Sequence, residues 1–225
     1  MITHLACVMD GNRRWATKQG KFSWLGHQAG AQTVQMVINF CLQYQIAYLS
    51  LYTFSLENFN RSQQEKSYLF DMIIQQADSY IPQFIEQGVC VHFVGKISLF
   101  PESVQALCKK VEEKTKHGTR LQVNFLFGYG ARQEIFDAAQ RLVEQAQAGM
   151  LITQNLFESN LWTGEMPDPD LIIRTGGVQR MSNFLLYQAA YTEIRFVDTL
   201  WPDLTKAELM NVLMSAISAQ KNLGK

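Results

Sequence analysis

The polar residues with the clearest chemistry follow directly after an apolar run at residues 4–9, which is typical of a buried strand. They are Asp10, Gly11, Asn12, Arg13 and Arg14. Arginine side chains donate paired hydrogen bonds to phosphate oxygens, and a glycine lets backbone N–H groups come close to an anion. A carboxylate repels such oxygens unless a cation such as Mg²⁺ lies between them. Asp10 therefore favours a site for a metal-bound diphosphate.

The same segment has a plainer interpretation as a tight turn from a strand into a helix. In that case Asp10 or Asn12 is a cap, and the arginines lie on a solvated face. The segment alone does not decide between the two. Three further segments have the same chemical bias, at residues 26–30 (GHQAG), 55–61 (SLENFNR) and 174–183 (RTGGVQRMSN). Several such segments together favour the diphosphate site.

In order and spacing, these segments resemble the motifs of the cis-prenyltransferases, the family of undecaprenyl diphosphate synthases and related enzymes. The family motifs are MDGN-x-RW, GH-x-AG, FS-x-EN-(W/F)-x-R and RTGG-x-x-R-x-SNFLL-(W/Y)-Q-x-AY-x-E. They match residues 9–15, 26–30, 54–61 and 174–193. The resemblance extends over residues 4–203, and four ordered motifs are far more specific than a single glycine-rich match.

The resemblance implies a Mg²⁺-dependent enzyme that condenses isopentenyl diphosphate with an allylic diphosphate, expected to be farnesyl diphosphate, and sets the new double bond cis. The expected product is a long-chain polyprenyl diphosphate such as undecaprenyl diphosphate, a lipid-carrier precursor for cell-wall glycan synthesis. Asp10 and Asn58 are the expected catalytic residues, and Asp10 and Glu193 the expected Mg²⁺ ligands. The expected substrate contacts are Gly11, Asn12, Arg13, Arg14, Trp15, His27, Ser55, Leu56, Glu57, Phe59, Arg61, Arg174, Arg180, Met181 and Ser182.

The resemblance also divides these residues between the two substrates. The first two motifs, with His27, would hold the allylic diphosphate, and Arg174, Arg180 and Ser182 would hold isopentenyl diphosphate. Arg61 would reach in from a mobile lid at residues 55–66. Asn58 would accept or relay the proton, with a phosphate oxygen or His27 as final acceptor. Without the resemblance, His27 would more often be a capping or core histidine.

The elements that must position these residues alternate along the chain. Strands are predicted at 5–9, 47–54, 89–94, 121–127, 171–174 and 194–197, and helices at 29–43, 64–87, 102–116, 132–148, 182–190 and 206–220. This alternation predicts a single α/β domain, residues 1–225, with a mostly parallel six-stranded sheet flanked by helices. Ligands of such sheets bind beyond the carboxyl ends of the strands. The family resemblance adds an apolar tunnel between the sheet and the helices at 29–43 and 64–87.

Charge, composition and the absence of certain motifs argue against several classes of protein. The 225 residues include 20 basic and 20 acidic side chains, so there is no broad positive field for nucleic acid. The absence of a Gly-x-Gly-x-x-Gly pattern argues against a dinucleotide cofactor. Four cysteines without paired spacing indicate buried thiols in a reduced cytoplasmic protein, and no apolar run is long enough to cross a membrane. Any membrane contact, for product release, would be peripheral.

Several positions depart from the family pattern. Val178 replaces a glutamate, Ser23 replaces an arginine, and residues 222–224 (NLG) replace a C-terminal Arg-x-Gly that completes the isopentenyl site across a dimer. Phe127, if it points into the tunnel, could shorten the product. A homodimer is expected, with the strand at 121–129 and the following helix as contacts. The alternatives are a catalytically silent subunit of a heteromeric enzyme and a protein that binds or hydrolyses phosphate esters.

Overall fold

A parallel sheet of six strands forms the centre of the fold in the computed structural model, which describes residues 2–218. The strands are β1 (His4–Val8), β2 (Tyr48–Ser55), β3 (Val89–Val94), β4 (Leu121–Tyr129), β5 (Leu171–Arg174) and β6 (Glu193–Phe196). Their order is β3-β4-β2-β1-β5-β6, and every pairing is parallel. The predicted α/β class is confirmed.

Seven α-helices lie in the described part of the chain. They are α1 (Asn12–Lys18), α2 (Gly26–Gln43), α3 (Gln63–Gln87), α4 (Glu102–Thr115), α5 (Ala131–Gln147), α6 (Gln154–Ser159) and α7 (Lys206–Ser218). Parallel neighbours require crossover connections, and helices supply most of them. A helix was predicted at 206–220, and the last two positions of that prediction lie outside the described range.

Both faces of the sheet are buried, which explains why β1 is continuously apolar from Leu5 to Val8 rather than alternating. Leu5 and Cys7 belong to a core that includes residues of α2, α3 and α7. Ala6 and Val8 point to the other face and belong to a second core with Phe184. Successive side chains of a strand point to opposite faces, so β1 contributes to both cores.

The helix predicted at 182–190 is wrong, because this segment is a series of turns. Ser182 and Asn183 have φ of 50° and 64°, which a helix does not allow. The Asn183 side chain donates to Oε1 of Glu57 at 2.9 Å and accepts from the backbone N–H of Arg132 at 2.8 Å. Contacts with distant parts of the chain thus replace the local hydrogen bonds of a helix.

The short helix α6 was not predicted, and α1 was expected only in the plainer interpretation of Asp10 and Asn12 as caps of a helix. Within the predicted lid at 55–66, a 3₁₀ helix at Leu56–Asn60 is followed by the first turn of α3. The mobility of the lid remains a prediction. No helix among residues 2–218 has the length and apolar character needed to cross a bilayer.

Candidate active site

Asp10 and Arg174 lie together at the carboxyl edge of the sheet, because β1 and β5 are neighbours in register. Val8 pairs with Arg174, and Asp10 follows two residues later. Nη2 of Arg174 donates to Oδ2 of Asp10 at 2.9 Å, and Nη2 of Arg14 donates to Oδ1 at 3.2 Å. The sheet therefore brings together residues that are more than 160 positions apart in sequence.

Arg174 is the most buried of these groups, with 4% of its surface exposed. Its Nη1 donates to Oγ of Ser182 at 2.7 Å and also to the backbone carbonyl of Arg180. Nε of Arg180 donates to the same Ser182 hydroxyl at 3.3 Å. Nε of Arg174 is buried without a hydrogen-bond partner among residues 2–218, so an N–H group remains for a further acceptor such as a phosphate oxygen. We call Asp10, Arg14, Arg174, Arg180 and Ser182 the polar cluster.

The backbone at Gly176 comes very close to the polar cluster. Its carbonyl accepts from Nη1 of Arg14 at 2.7 Å, and its φ of +84° favours glycine. A Cβ at this position would lie 2.4 Å from Nη2 of Arg14. Thr175, which the sequence analysis missed, donates from its hydroxyl to the backbone carbonyl of Asp10 at 2.7 Å. Together these contacts fix the loops that follow β1 and β5.

The two glycines of the second motif allow α2 to pack against the start of α1. A Cβ on Gly26 would lie 1.9 Å from the backbone oxygen of Asn12. A Cβ on Gly30 would lie 2.4 Å from Oδ1 of Asn12 and 3.0 Å from Cδ1 of Trp201. Oδ1 of Asn12 is buried and has no hydrogen-bond partner within the described residues. These glycines therefore position Asn12.

A second group of charges surrounds Glu65, a residue that the sequence analysis did not single out. Its Oε1 lies 3.3 Å from Nη1 of Arg61, 3.8 Å from Nε of Arg13 and 3.9 Å from Nε2 of His27. Burial, with smaller effects of Arg61 and Arg13, lowers the pKa of His27 to about 4, so its ring is neutral at pH 7. We call Arg13, His27, Arg61 and Glu65 the Glu65 cluster.

The third motif is held by a capping box. The backbone N–H of Ser55 donates to Oδ1 of Asn58 at 3.1 Å, and the Ser55 side chain accepts from the backbone of Asn58. Glu57 reaches across to the last motif through its hydrogen bond with Asn183. Phe59 packs its ring against the cavity-lining aromatic side chain of Phe54, with ring centroids 5.0 Å apart.

Four other predicted residues lie at the borders of these groups. Gly11 caps α1 with a φ of 112°, and Leu56 lies half-buried beside Gly130. Nε1 of Trp15 donates to Oδ1 of Asp203 at 2.6 Å. Met181 is half-buried against the second core.

An apolar cavity lies next to the Glu65 cluster, between the sheet and helices α2, α3 and α4. Its volume of about 200 Å³ is many times the space that one water molecule requires. Met9, Asn12 and His27 line it near the charged groups. Its other lining residues include Ala31, Val34, Ile38, Leu69, Ile73, Ala77, Tyr80, Phe84, Leu107, Val111, Phe125 and Phe127. The cavity lies where the tunnel was predicted, with α4 as an additional wall.

Glu193, the predicted second metal ligand, is not beside Asp10. It pairs with Leu171 at the start of β5, three residues before Arg174, which corresponds to about 10 Å along the strand. Its carboxylate forms an ion pair with Arg195. Within residues 2–218, no three His, Cys, Asp or Glu side chains are grouped as a metal site. The role of Glu193 stays a prediction.

A family model described as "Putative undecaprenyl diphosphate synthase" matches residues 8–224. The chain is 38% identical to an isoprenyl transferase of Thermotoga maritima, over 98% of this chain and 96% of the relative. It is 38% identical to the ditrans,polycis-undecaprenyl-diphosphate synthase ((2E,6E)-farnesyl-diphosphate specific) of Micrococcus luteus, over 92% of this chain and 84% of the relative.

Two solved structures have the same fold. A lavandulyl diphosphate synthase from Lavandula x intermedia, in complex with dimethylallyl diphosphate, has a TM-score of 0.95 and 30% identity, and the match covers 100% of this chain and 98% of that one. A probable undecaprenyl diphosphate synthase from Campylobacter jejuni has a TM-score of 0.84 and 34% identity, covering 100% and 99%.

Proposed function

This chain belongs to the undecaprenyl diphosphate synthase family, the cis-prenyltransferases, and from that membership we propose how its residues divide the reaction. The enzyme condenses isopentenyl diphosphate with an allylic diphosphate and builds a cis-polyprenyl diphosphate. Farnesyl diphosphate is the proposed allylic substrate, supported by the specificity in the name of the Micrococcus relative. In each addition, C4 of isopentenyl diphosphate bonds to C1 of the allylic substrate, diphosphate leaves C1, and a C2 proton is lost.

The observation that carries this proposal is the contact between charged groups and the apolar cavity. Asn12 and His27 line the cavity, and His27 also lies in the Glu65 cluster. A ligand with a diphosphate head and a hydrocarbon tail fits both regions at once. Each buried CH₂ group contributes about 0.8 kcal/mol, so the growing chain would be retained between additions.

Each diphosphate is assigned to one group of side chains. The allylic diphosphate would be held beside the cavity by Arg13, His27 and Arg61, together with Arg14 and the backbone at Gly11. Arg174, Arg180 and Ser182 would hold isopentenyl diphosphate, supported by the Nε of Arg174 that has no partner within residues 2–218. Guanidinium groups held in place before the reaction stabilise the negative charge that develops on the leaving diphosphate.

Asp10 fits the part of a Mg²⁺ ligand. Its carboxylate is 30% exposed, and hydrogen bonds from Arg14 and Arg174 orient both of its oxygens. One carboxylate together with phosphate oxygens is a common environment for Mg²⁺. When bound, the ion would supply positive charge to the leaving group.

The proton from C2 requires an acceptor near the third motif. Asn58 is proposed to relay it, although its amide oxygen is already held by the backbone of Ser55. His27 has a pKa of about 4 and is a weak base for this step. An oxygen of the diphosphate is therefore the favoured final acceptor.

The silent-subunit alternative is not favoured. Asp10, Arg13 and Arg14 are all present, and relatives of nearly full coverage are named as transferases or synthases. Hydrolysis of a simple phosphate ester would not require the apolar cavity, so this alternative is not favoured either. Purified protein with Mg²⁺, farnesyl diphosphate and radiolabelled isopentenyl diphosphate should form labelled polyprenyl products. No incorporation, in an assay where a known synthase is active, would overturn the proposed function.

A homodimer is proposed, supported by an apolar stripe on α5. Phe136 and Val143 are 58% and 56% exposed, and Ala139 is exposed between them at helical spacing. The other predicted contact, the strand at 121–129, stays a prediction; β4 lies inside the sheet between β3 and β2. Residues 222–224 lie outside the described range. Light scattering should give twice the chain mass, and Phe136→Glu should reduce it.

A cytoplasmic location is also proposed. The four cysteines, Cys7, Cys41, Cys90 and Cys108, are all buried free thiols. Unpaired thiols are typical of proteins in a reducing compartment.

A further inference from the structure

Glu65 is a buried carboxylate to which the proposed roles assign no task. Its side chain is 8% exposed, and the backbone N–H of Glu65 donates to the Ser62 hydroxyl that caps α3. A carboxylate at this depth requires cations or hydrogen-bond donors near it. Arg61 and Arg13 supply the positive charge, at 3.3 and 3.8 Å from the same oxygen. The two guanidiniums thus share one counter-ion.

The members of the Glu65 cluster come from two walls of the site. Arg13 lies on α1 and His27 on α2. Glu65 lies in the first turn of α3, and Arg61 precedes the Ser62 cap of that helix. The ion pair between Glu65 and Arg13 therefore connects the segment at 55–66 with the opposite wall. Nε2 of His27 is buried and has no hydrogen-bond partner among the described residues. This nitrogen, too, is free for an incoming ligand.

A diphosphate bound by Arg13 and Arg61 competes with Glu65 for the same guanidiniums. Both anions need these cations, and they repel each other in a partly buried site where charges are poorly screened. The carboxylate should therefore weaken the binding of diphosphate. It also provides Arg61, whose side chain is 24% exposed, with a counter-charge when the site is empty.

Chain extension makes such an exchange useful. Each addition leaves an inorganic diphosphate in the allylic site, and the lengthened chain needs that site before the next addition. Building on the proposed function, we propose that Glu65 is a positioning residue that takes over Arg13 and Arg61 whenever diphosphate leaves. It thereby limits the affinity of the allylic site for diphosphate and speeds its release.

The variant Glu65→Gln tests this proposal because it keeps the shape of the side chain and removes its charge. Calorimetry with inorganic diphosphate and Mg²⁺ should show about tenfold tighter binding than in the wild type, a change of about 1.4 kcal/mol. In steady state, both KM for farnesyl diphosphate and kcat should fall, because diphosphate leaves more slowly. The matched control is Asp71→Asn, which removes an exposed carboxylate from the same helix and should change neither quantity.

If Glu65 has only a structural role, the affinity for diphosphate should change in the opposite direction. If Glu65 only holds the arginines in place, Glu65→Gln should weaken diphosphate binding and raise KM, and that result would overturn the proposal. Glu65→Asp keeps the negative charge but places it about one methylene farther from Arg13 and Arg61. The affinity of this variant for diphosphate should therefore lie between those of the wild type and Glu65→Gln. If Glu65→Gln does not fold, unchanged or weaker binding by Glu65→Asp would overturn the proposal. Calorimetry needs no turnover, so this test is independent of the labelling assay.

Discussion

The polar cluster and the apolar cavity lie near each other but depend on different forces. In the polar cluster, Arg174 donates directional hydrogen bonds to Asp10, Ser182 and the carbonyl of Arg180 while almost fully buried. In the cavity, hydrocarbon groups from α2, α3 and the sheet form non-directional contacts. The polar cluster should therefore respond to the loss of a single atom or charge, whereas the cavity should respond to volume.

The polar cluster and the cavity also differ in backbone conformation. The polar cluster depends on residues in left-handed conformations, with φ of 84° at Gly176 and 50° at Ser182. The cavity is lined mainly by regular helices and strands. The polar cluster thus combines Arg174 of β5 and Arg14 of α1 with residues on loops, whereas the cavity wall consists mainly of regular elements.

The largest effect is expected for Asp10→Ala. Loss of the carboxylate removes the proposed Mg²⁺ ligand, so kcat should fall by about a thousandfold, or about 4 kcal/mol of transition-state stabilisation. The affinity for farnesyl diphosphate should change far less, because the guanidiniums of the Glu65 cluster remain. Steady-state kinetics combined with equilibrium binding of farnesyl diphosphate would separate the two quantities.

The control for this change is Asp10→Asn, which keeps an oxygen that can accept from Arg174. It separates the loss of charge from the cost of leaving a buried guanidinium unpaired. Equal losses of kcat and of binding affinity in both variants would contradict the metal-ligand role and would place Asp10 among the general binding contacts.

The sequence predicted that Asp10 and Arg174 lie close together, but it did not predict the turns at 182–190 beside them. Both residues follow buried apolar runs, and the carboxyl ends of parallel strands meet at one edge of the sheet. The turns at 182–190 could not be predicted in this way, because the local apolar pattern favours a helix. Contacts of Asn183 with Glu57 and Arg132 override it.

Glu65 illustrates a second limit of sequence analysis. Ser62 and Glu65 form a Ser-x-x-Glu pattern, which predicts the start of a helix, and α3 does begin at Gln63. The contact of this glutamate with Arg13, however, joins the starts of two helices that are distant in sequence. A local pattern cannot show such a contact, and only the three-dimensional arrangement of α1 and α3 reveals it.

His27 belongs to the Glu65 cluster and also lines the cavity, and it provides a test with an effect of intermediate size. Its pKa is lowered from 6.5 to about 4, first by burial and then by Arg61 and Arg13. Between these values the unfolded chain binds a proton that the native protein does not, so stability present above pH 6.5 is lost as the pH falls. At pH 4.5 this loss should be on the order of 2–3 kcal/mol.

Urea unfolding at pH 7 and pH 4.5 would measure that loss. His27→Gln should lose less stability on acidification than the wild type does, whereas the control His117→Gln, at an exposed position, should behave like the wild type. The same acid loss in all three proteins would mean that His27 is charged in the native state, and the charged and apolar regions would then be less separate than the contacts indicate.

The smallest effect on stability and rate is expected in the cavity wall. Phe127 is 1% exposed and lines the cavity, and its ring stacks on Phe100 with centroids 4.0 Å apart. Phe127→Leu should destabilise the protein by about 1–2 kcal/mol, because leucine remains apolar but fills less of the buried volume than the ring does. The rate of the first addition should stay within about threefold of the wild type, or about 0.7 kcal/mol. The product chains should become longer, since the wall recedes.

Phe100→Leu is the matched control for Phe127→Leu, because Phe100 belongs to the same aromatic group but does not line the cavity. It should cost similar stability and leave the products unchanged when they are separated by chromatography. If both variants shift the product length equally, the aromatic group acts through its overall packing rather than through the wall at Phe127. A large loss of rate in Phe127→Leu would show that the cavity, like the polar cluster, depends on the position of individual atoms.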